Sequence, residues 1–313
     1  MQKVISKSRF LATDVYSGEL VISNTDMALK ASQNAIKEAN IDSNEIDLII
    51  YSTATPDYIV PPCFVLLQEK LNIKKCIGFD IRSGCAGFGT ALTIAETYIN
   101  SGKANKALVV GVDLLSTRFT HYRKVTEDMP LKVLFNYMFF GDGAGAVILS
   151  KAEEIESCGF FYSEMQSNAA DIPYGSIIEA GGSNNPYPNK ELITEQWPIY
   201  QVANLSDEYL PKILIPSINH YIENSKYNLD QIDKFIMPVE SEKIKQKVLN
   251  EFKEISEDKI FSCGHLGGAL ISAAVPISLD YAIKNKIINK GNKIMLYAAE
   301  NTKWQHALIA AEY

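Results

Sequence analysis

Residues 79–88, FDIRSGCAGF, decide how the rest of this 313-residue chain is read. A short apolar run ends in small residues, a cysteine sits at the turn, and residues 86–99 then repeat apolar positions at helical spacing. Cys85 is therefore expected at a helix N-terminus. A thiol there meets the positive end of the helix dipole and unpaired backbone N–H groups, both of which favour thiolate over thiol. Gly84, Ala86 and Gly87 leave room around the sulfur and let a carbonyl approach the backbone closely. This describes a nucleophile. It also describes a small buried cysteine at the start of a helix, since free cysteine is among the most buried residue types. The surroundings must decide between them.

Outward from that stretch, the pattern is of alternating strands and helices. Residues 46–55, IDLIIYSTAT, form a continuous apolar run that suits a strand buried on both faces. Pro56, Pro61 and Pro62 break it into a loop. Helices are expected over 25–39, with Asn24 or Thr25 as N-cap, over 63–71 and over 205–224. Further strands are expected over 77–81 and 106–112. The segment 139–149, FFGDGAGAVIL, is expected to run through a glycine-rich turn into another strand. Its GDGAGA lacks the remaining features of a dinucleotide fingerprint and reads as a structural turn that lets helix and sheet approach, with Asp142 capping it. The region 151–200 reads as an irregular insertion or connecting strands with an exposed tip.

After residue 224 the pattern starts again. EIDLIIYSTAT at 45–55 is echoed by QIDKFIMPVES at 231–241, an offset of 186 residues. The cysteine turn and its helix are echoed by GHLGGALISAAVPISLDYAI at 264–283, and KALVVGV by KIMLYAA at 293–299. Two copies of one β/α unit are expected, dividing the chain into 1–200 and 201–313. Matching helix N-termini should meet, bringing Cys85 and the turn at 264–269 together.

Composition narrows the function. The chain is 47% hydrophobic, ample for a large core, and its net charge of -7 argues against nucleic acid as a partner. No apolar run approaches the ~20 residues that span a bilayer, and the start MQKVISKSRF has no signal-peptide core. Five cysteines without paired spacing suggest a reducing, cytoplasmic setting. Cys263 and His265 are two apart, but nothing completes a tetrahedral zinc set, so no metal is expected.

DIRSGCAGF, FGDGAGAVIL, the strand ending in PVES, GHLGGALISAAVP and the closing KWQHALI together resemble the β-ketoacyl-acyl-carrier-protein synthase III branch of the thiolase superfamily. The resemblance covers nearly the whole chain. It implies a thiolase-like five-layer αβαβα fold, a homodimer, no tightly bound cofactor, and an acyl thioester of coenzyme A or acyl carrier protein as substrate. It implies Cys85 as the nucleophile that takes the acyl group. Its own N–H and one from the loop 299–302 would be donors to the oxyanion.

Departures from that family bear on the chemistry. Members that condense malonyl thioesters hold a histidine after a proline and an asparagine after a glycine, which together stabilise an enolate. Here Val239 follows Pro238 and Ala269 follows Gly268, and neither side chain donates a hydrogen bond. His265 lies in the turn expected to face Cys85, as a base for an incoming hydroxyl, amine or thiol, or as a structural histidine. This GH-x-G turn resembles offshoots that move an acyl group to a hydroxyl or amine acceptor without decarboxylation.

The remaining departures are smaller. The carrier-docking motif is replaced by Ser241-Glu242-Lys243-Ile244. The C-terminal glycine-rich loop has become Ala299-Glu300-Asn301-Thr302. Asn301 and Glu300 are thus candidates for binding oxyanion or acceptor, the plainer reading of Glu300 being an exposed loop residue. Val60 matches the position that floors the acyl pocket across the dimer. Arg118, Arg123 and Lys124 match a loop at the coenzyme A entrance. His121 and His220 show no evident partner, and His306 is either near the site or an intervening strand position. Family members have a strand before the segment matching ISKSRF, so the first sheet is expected to be one strand short or completed by another segment.

Three functions follow: an acyltransferase using Cys85 and His265, an atypical carbon–carbon condensing enzyme, or a noncatalytic subunit paired with an active homologue.

Overall fold

The fold is taken from a computed structural model that describes residues 5–8, 22–118, 139–151, 159–168, 170–177, 183, 200–201, 203–237 and 241–313. Strands β1 (Ile5–Ser8), β2 (Leu48–Ser52), β3 (Ile77–Ile81), β4 (Lys106–Leu114) and β5 (Asp142–Ser150) form one sheet in the order β1-β5-β4-β2-β3. A second sheet contains β6 (Gly159–Ser167), β9 (Lys234–Ile236), β10 (Ile260–Phe261), β11 (Lys293–Ala299) and β12 (Gln305–Glu312). Its order is β10-β9-β11-β12-β6. Between β6 and β9 in sequence, β7 (Ser176–Ile177) and β8 (Tyr200–Gln201) make a separate two-stranded pair.

The two large sheets have one topology. In the first, β3, β2 and β4 run parallel, β5 pairs antiparallel with β4, and β1 pairs antiparallel with β5. In the second, β10, β9 and β11 run parallel, β12 pairs antiparallel with β11, and β6 pairs antiparallel with β12. The repeat read from the sequence is thus a repeat of structure. The ISKS segment completes the first sheet as its fifth strand, the second of the two expected outcomes. Strand β6, at 159–167, lies in the region read as an irregular insertion or connecting strands, and it already belongs to the second sheet, ahead of the expected division at residue 200.

The helices fill three layers around these sheets. Helix α1 (Asn24–Ala39) and α2 (Cys63–Lys70) cover the outer face of the first sheet, α1 burying Met27, Ala28, Ala31 and Ala35 against Ile49, Tyr51, Leu108 and Val110. Helix α3 (Gly87–Asn100) lies between the sheets. Helices α4 (Ala203–Asn224) and α5 (Glu242–Glu251) cover the far face of the second. The short α6 (Gly264–Gly267) leads to α7 (Ala274–Lys284), which joins α3 in the central layer. This is the αβαβα order of a thiolase-like fold.

Strand periodicity explains the layering. In β2, Leu48 and Ile50 enter the central core while Ile49 and Tyr51 enter the outer one. In β11, Ile294 and Leu296 face the central core while Met295 and Tyr297 face α4 and α5. Successive side chains alternate sides of a strand, so an unbroken apolar run is what a sheet covered on both faces requires.

Caps sharpen the elements. The N-cap of α1 is Ser23, one residue before the expected position, in a capping box with Asp26. Asp57 accepts the N–H groups of Asn24 (2.8 Å) and Thr25 (3.2 Å), and Asp80 accepts those of Cys63 (2.7 Å) and Phe64 (2.9 Å) at the start of α2. These satisfy N–H groups that have no partner inside their helices. Of the GDGAGA glycines, Gly143 and Gly145 lie within β5 rather than in a turn, but they do admit a helix: a Cβ on Gly145 would stand 2.7 Å from Pro276 Cβ in α7. Asp142 accepts the Ser116 N–H (2.9 Å) and so holds the turn Leu115–Arg118.

Candidate active site

Cys85 lies in a single 3₁₀ turn, Gly84–Ala86, between the end of β3 and the start of α3. Gly84 has φ +48°, in the left-handed region that glycine enters without a Cβ clash. The thiol is half-buried and lines a cavity of about 50 Å³ at the carboxyl ends of the parallel strands of the second sheet. Leu210 and Leu214 of α4, Met237, Ile244 of α5, Ile271, Ala274, Tyr297, Ala299 and Asn301 complete its wall. The crevice beyond the carboxyl ends of strands is where open α/β sheets bind ligands.

Among the described cysteines this placement is distinctive. Burial pushes the Cys63 thiol up to about 12 and raises that of Cys76 as well, so neither supplies thiolate. Cys263 is buried, and Cys158 lies outside the described residues.

The turn that meets the cysteine turn is Ile271–Ala273, just beyond the expected 264–269. Ile271–Ala273 is also a 3₁₀ turn, it precedes α7 as Gly84–Ala86 precedes α3, and its first residue, Ile271, has φ +50°. Ser272 therefore occupies in the second copy the place Cys85 takes in the first. Its hydroxyl donates to the Gly84 carbonyl (3.1 Å) and receives the Ser52 hydroxyl (3.2 Å), while its N–H donates to Asp113 (3.0 Å). Asp113 is fully buried and also accepts from Thr53 Oγ1, Ala54 N and Thr55 Oγ1. Burial raises its pKa to about 6 against those hydrogen bonds. Neither Ser272 nor Asp113 was singled out from the sequence, although aligning the two copies puts Ser272 opposite Cys85.

The other candidate residues fall into place unevenly. Asn301 shares the cavity with Cys85, and its Nδ2 donates to Ser206 Oγ (2.8 Å). Glu300 is not exposed: it is 1% accessible. It accepts from Thr302 Oγ1, Lys303 N (3.1 Å) and Gln305 N (2.8 Å), so its carboxylate holds the loop after β11 in shape. A Cβ on Gly84 would stand 3.4 Å from the Glu300 Cβ, which sets this loop directly against the cysteine turn. His265 sits on α6, which ends two residues before Ala269; nothing is described of its side chain. Ala269 is buried and pairs through its backbone with Phe139 and Gly141. Val60 is 79% exposed and does not line the cavity of its own chain. Arg118 closes the turn Leu115–Arg118, without a described side chain, while His121, Arg123, Lys124, Pro238 and Val239 lie outside the described residues.

Two histidines, the buried His306 and the exposed His220, meet at Glu164. His306, 2% accessible on β12, approaches Glu164 (3.4 Å) and Asn168 (3.3 Å) and stacks on Tyr297 with ring centroids 5.9 Å apart. His220, expected to be unpartnered, contacts Glu164 (2.6 Å) and Tyr162 (2.7 Å). Burial would raise the Glu164 pKa, but hydrogen bonds from His306, Ser217, Tyr162 and His220 outweigh it and bring it down to about 2. Among the described residues no group of three or more His, Cys, Asp or Glu is placed to hold a metal ion, and no helix is long and apolar enough to cross a membrane.

A half-buried thiol lining an apolar cleft is chemically suited to accept an acyl group. Apart from Cys85, the described walls carry no carboxylate, imidazole or amine side chain. The only phenol there, Tyr297, is held neutral because burial raises its pKa well above the ordinary value.

Comparison with known proteins agrees with this architecture. The family profile 3-Oxoacyl-[acyl-carrier-protein (ACP)] synthase III matches residues 79–169. The beta-ketoacyl-[acyl-carrier-protein] synthase III of Neisseria meningitidis serogroup C is 32% identical over 279 residues, covering 87% of this chain and 79% of that protein. The crystal structure of 3-oxoacyl-[acyl-carrier-protein] synthase III from Aquifex aeolicus superposes with a TM-score of 0.78 at 26% identity, over 94% of this chain and 85% of that one. AbyA1, a tetronic acid condensing enzyme, shares the fold with a TM-score of 0.84 at 22% identity, over 97% and 87%. The chain belongs to the β-ketoacyl-[acyl-carrier-protein] synthase III family of thiolase-type, acyl-transferring or condensing enzymes.

Proposed function

We propose that this protein is an acyltransferase that takes an acyl group from a coenzyme A or acyl-carrier-protein thioester onto Cys85 and passes it to a nucleophilic acceptor. The observation that carries this reading is the half-buried Cys85 thiol at the head of α3, opening on an apolar cavity. In the first half-reaction the Cys85 sulfur bonds to the acyl carbon and the donor thiol leaves with a proton. In the second an acceptor hydroxyl, amine or thiol takes the acyl group and the Cys85 thiol is restored. The Cys85 N–H and one from the loop after β11 are assigned to the oxyanion.

His265 is assigned as the base that deprotonates the acceptor, and Asn301 as the polar side chain that orients it. Arg118 and Arg123 are assigned to the thioester entrance. Ala269 supports an acceptor other than a malonyl-derived enolate, because a methyl group cannot donate the hydrogen bond an enolate oxygen needs. No tightly bound cofactor is proposed. A homodimer is, with Val60 reaching the partner's acyl pocket.

Intact-protein mass after incubation with a panel of acyl-coenzyme A thioesters tests the first half-reaction. The expected result is a stable adduct of acyl mass, absent in Cys85→Ala and undischarged by malonyl thioester. Discharge with release of carbon dioxide would replace this reading by a condensing enzyme. Absence of any adduct would leave a noncatalytic subunit.

A further inference from the structure

The cysteine turn is gripped from behind by its own duplicate. Ser272 Oγ donates to the carbonyl of Gly84, and that carbonyl belongs to the same peptide unit as the N–H of Cys85. A trans peptide is planar, with C=O and N–H pointing in opposite directions. Fixing the oxygen therefore fixes the N–H. A hydrogen bond accepted by the carbonyl also polarises the unit and strengthens its N–H as a donor.

Ser272 is in turn immobilised. It is 1% accessible, its N–H is bound by the buried Asp113, and its Oγ receives the Ser52 hydroxyl. The residue before it, Ile271, is β-branched and held at φ +50°, a conformation that bulky L-residues rarely adopt. Backbone strain of this kind persists only where the surroundings impose it, and it concentrates at functional sites. Here it turns the Ser272 N–H to Asp113 and the hydroxyl to Gly84.

We propose that Ser272 is a positioning residue for acyl transfer. The Gly87 N–H already holds the Gly84 carbonyl within the turn, and the Ser272 hydroxyl, as its second donor, further fixes and polarises the Gly84–Cys85 peptide and so tunes the oxyanion donor without touching the substrate. In the second copy of the repeat, the position equivalent to the nucleophile has become the support of the nucleophile. This rests on the assignment of the Cys85 N–H to the oxyanion above.

The test compares two reagents at Cys85 by site-resolved mass spectrometry. p-Nitrophenyl acetate acylates the sulfur through a tetrahedral oxyanion, forming the S–C bond, releasing p-nitrophenolate and giving the thiol proton to solvent. Iodoacetamide alkylates the same sulfur by displacing iodide, with no carbonyl oxyanion. In Ser272→Ala, acetylation is expected to slow by about tenfold, less than the loss of a whole oxyanion donor, while alkylation changes less than about twofold. Ser272→Thr, which keeps the hydroxyl, should restore the wild-type ratio. Equal slowing of both reactions, or of neither, overturns the proposal, as does a threonine variant with the alanine ratio. Because neither reagent is a thioester, the ratio is readable even where the coenzyme A panel yields no adduct, which separates failure of this inference from failure of the acyltransferase reading.

Discussion

Asp113 shows how a single residue couples the site to pH. Its carboxyl is fully buried beside neutral partners, Thr53, Thr55 and Ser272, and its pKa stands at about 6 against an ordinary 3.8. Between those values the unfolded chain releases this proton while the folded protein keeps it, so folding stability falls as pH rises from about 4 to 6. The shift corresponds to a loss on the order of 3 kcal/mol. Asp113→Asn removes the titrating group, so urea melts should show wild type losing stability relative to the variant across that window and holding level above it. A constant difference between the two from pH 4 to 7 would count against a raised Asp113 pKa. Glu300 is a second buried carboxylate: its plainer reading from sequence is an exposed loop residue, and it is spent instead on N–H and hydroxyl groups of its own loop.

At the scale of elements, the site depends on a strand and a helix start being allowed to touch. A Cβ on Gly111, in β4, would stand 2.2 Å from the backbone oxygen of Ser272. Backbone cannot rotate away as a side-chain tip can. Gly111→Ala should therefore push the Ser272 turn off the sheet and cost about 1–3 kcal/mol of stability, the usual range for overpacking. Differential scanning calorimetry reads the loss, and the acetylation-to-alkylation ratio at Cys85 should fall with it. On the other side of the cavity, α4 carries Pro211 and Pro216 and so lacks two internal hydrogen bonds. The carbonyl that Pro211 leaves free, that of Asp207, receives Lys247 Nζ from α5 (2.8 Å), and the Asp207 carboxylate receives Ser241 Oγ (2.7 Å). The two helices that wall the cleft are thus tied together where the first is weakest.

At the scale of the whole molecule, Tyr58, Ile59 and Val60 are 59%, 74% and 79% exposed, and Ile77 on the edge strand β3 is 42% exposed. Contiguous exposed apolar side chains beside an unpaired strand edge favour association. Sedimentation should find wild type as a dimer and the double variant Ile59→Asp, Val60→Asp as a monomer that retains its fold by circular dichroism. A monomeric wild type would remove the homodimer and, with it, the role assigned to Val60.

The fold was legible in the sequence because its signals are local and occur twice. Apolar runs at 48–52 and 293–299, and the turn-helix segments after 84 and 271, carry their periodicity in neighbouring residues. Cys85 was legible for the same reason. Strand β6 was not, since Glu164, Gln166 and the exposed Met165 interrupt the apolar pattern and only pairing with β12 makes it a strand. The supports of the site were not legible either. Ser272 and Asp113 are 159 residues apart, and the Glu164 network draws on β6, α4 and β12. A hydrogen bond between residues distant in sequence leaves no periodic trace, because it constrains one side chain rather than a repeating face. The sequence alone thus determined the duplicated architecture and the place of Cys85 at the turn before a helix, through local pattern and its repetition. The tertiary structure decided which polar residues are buried and whom they hold, because burial and partnership exist only once the two halves have packed.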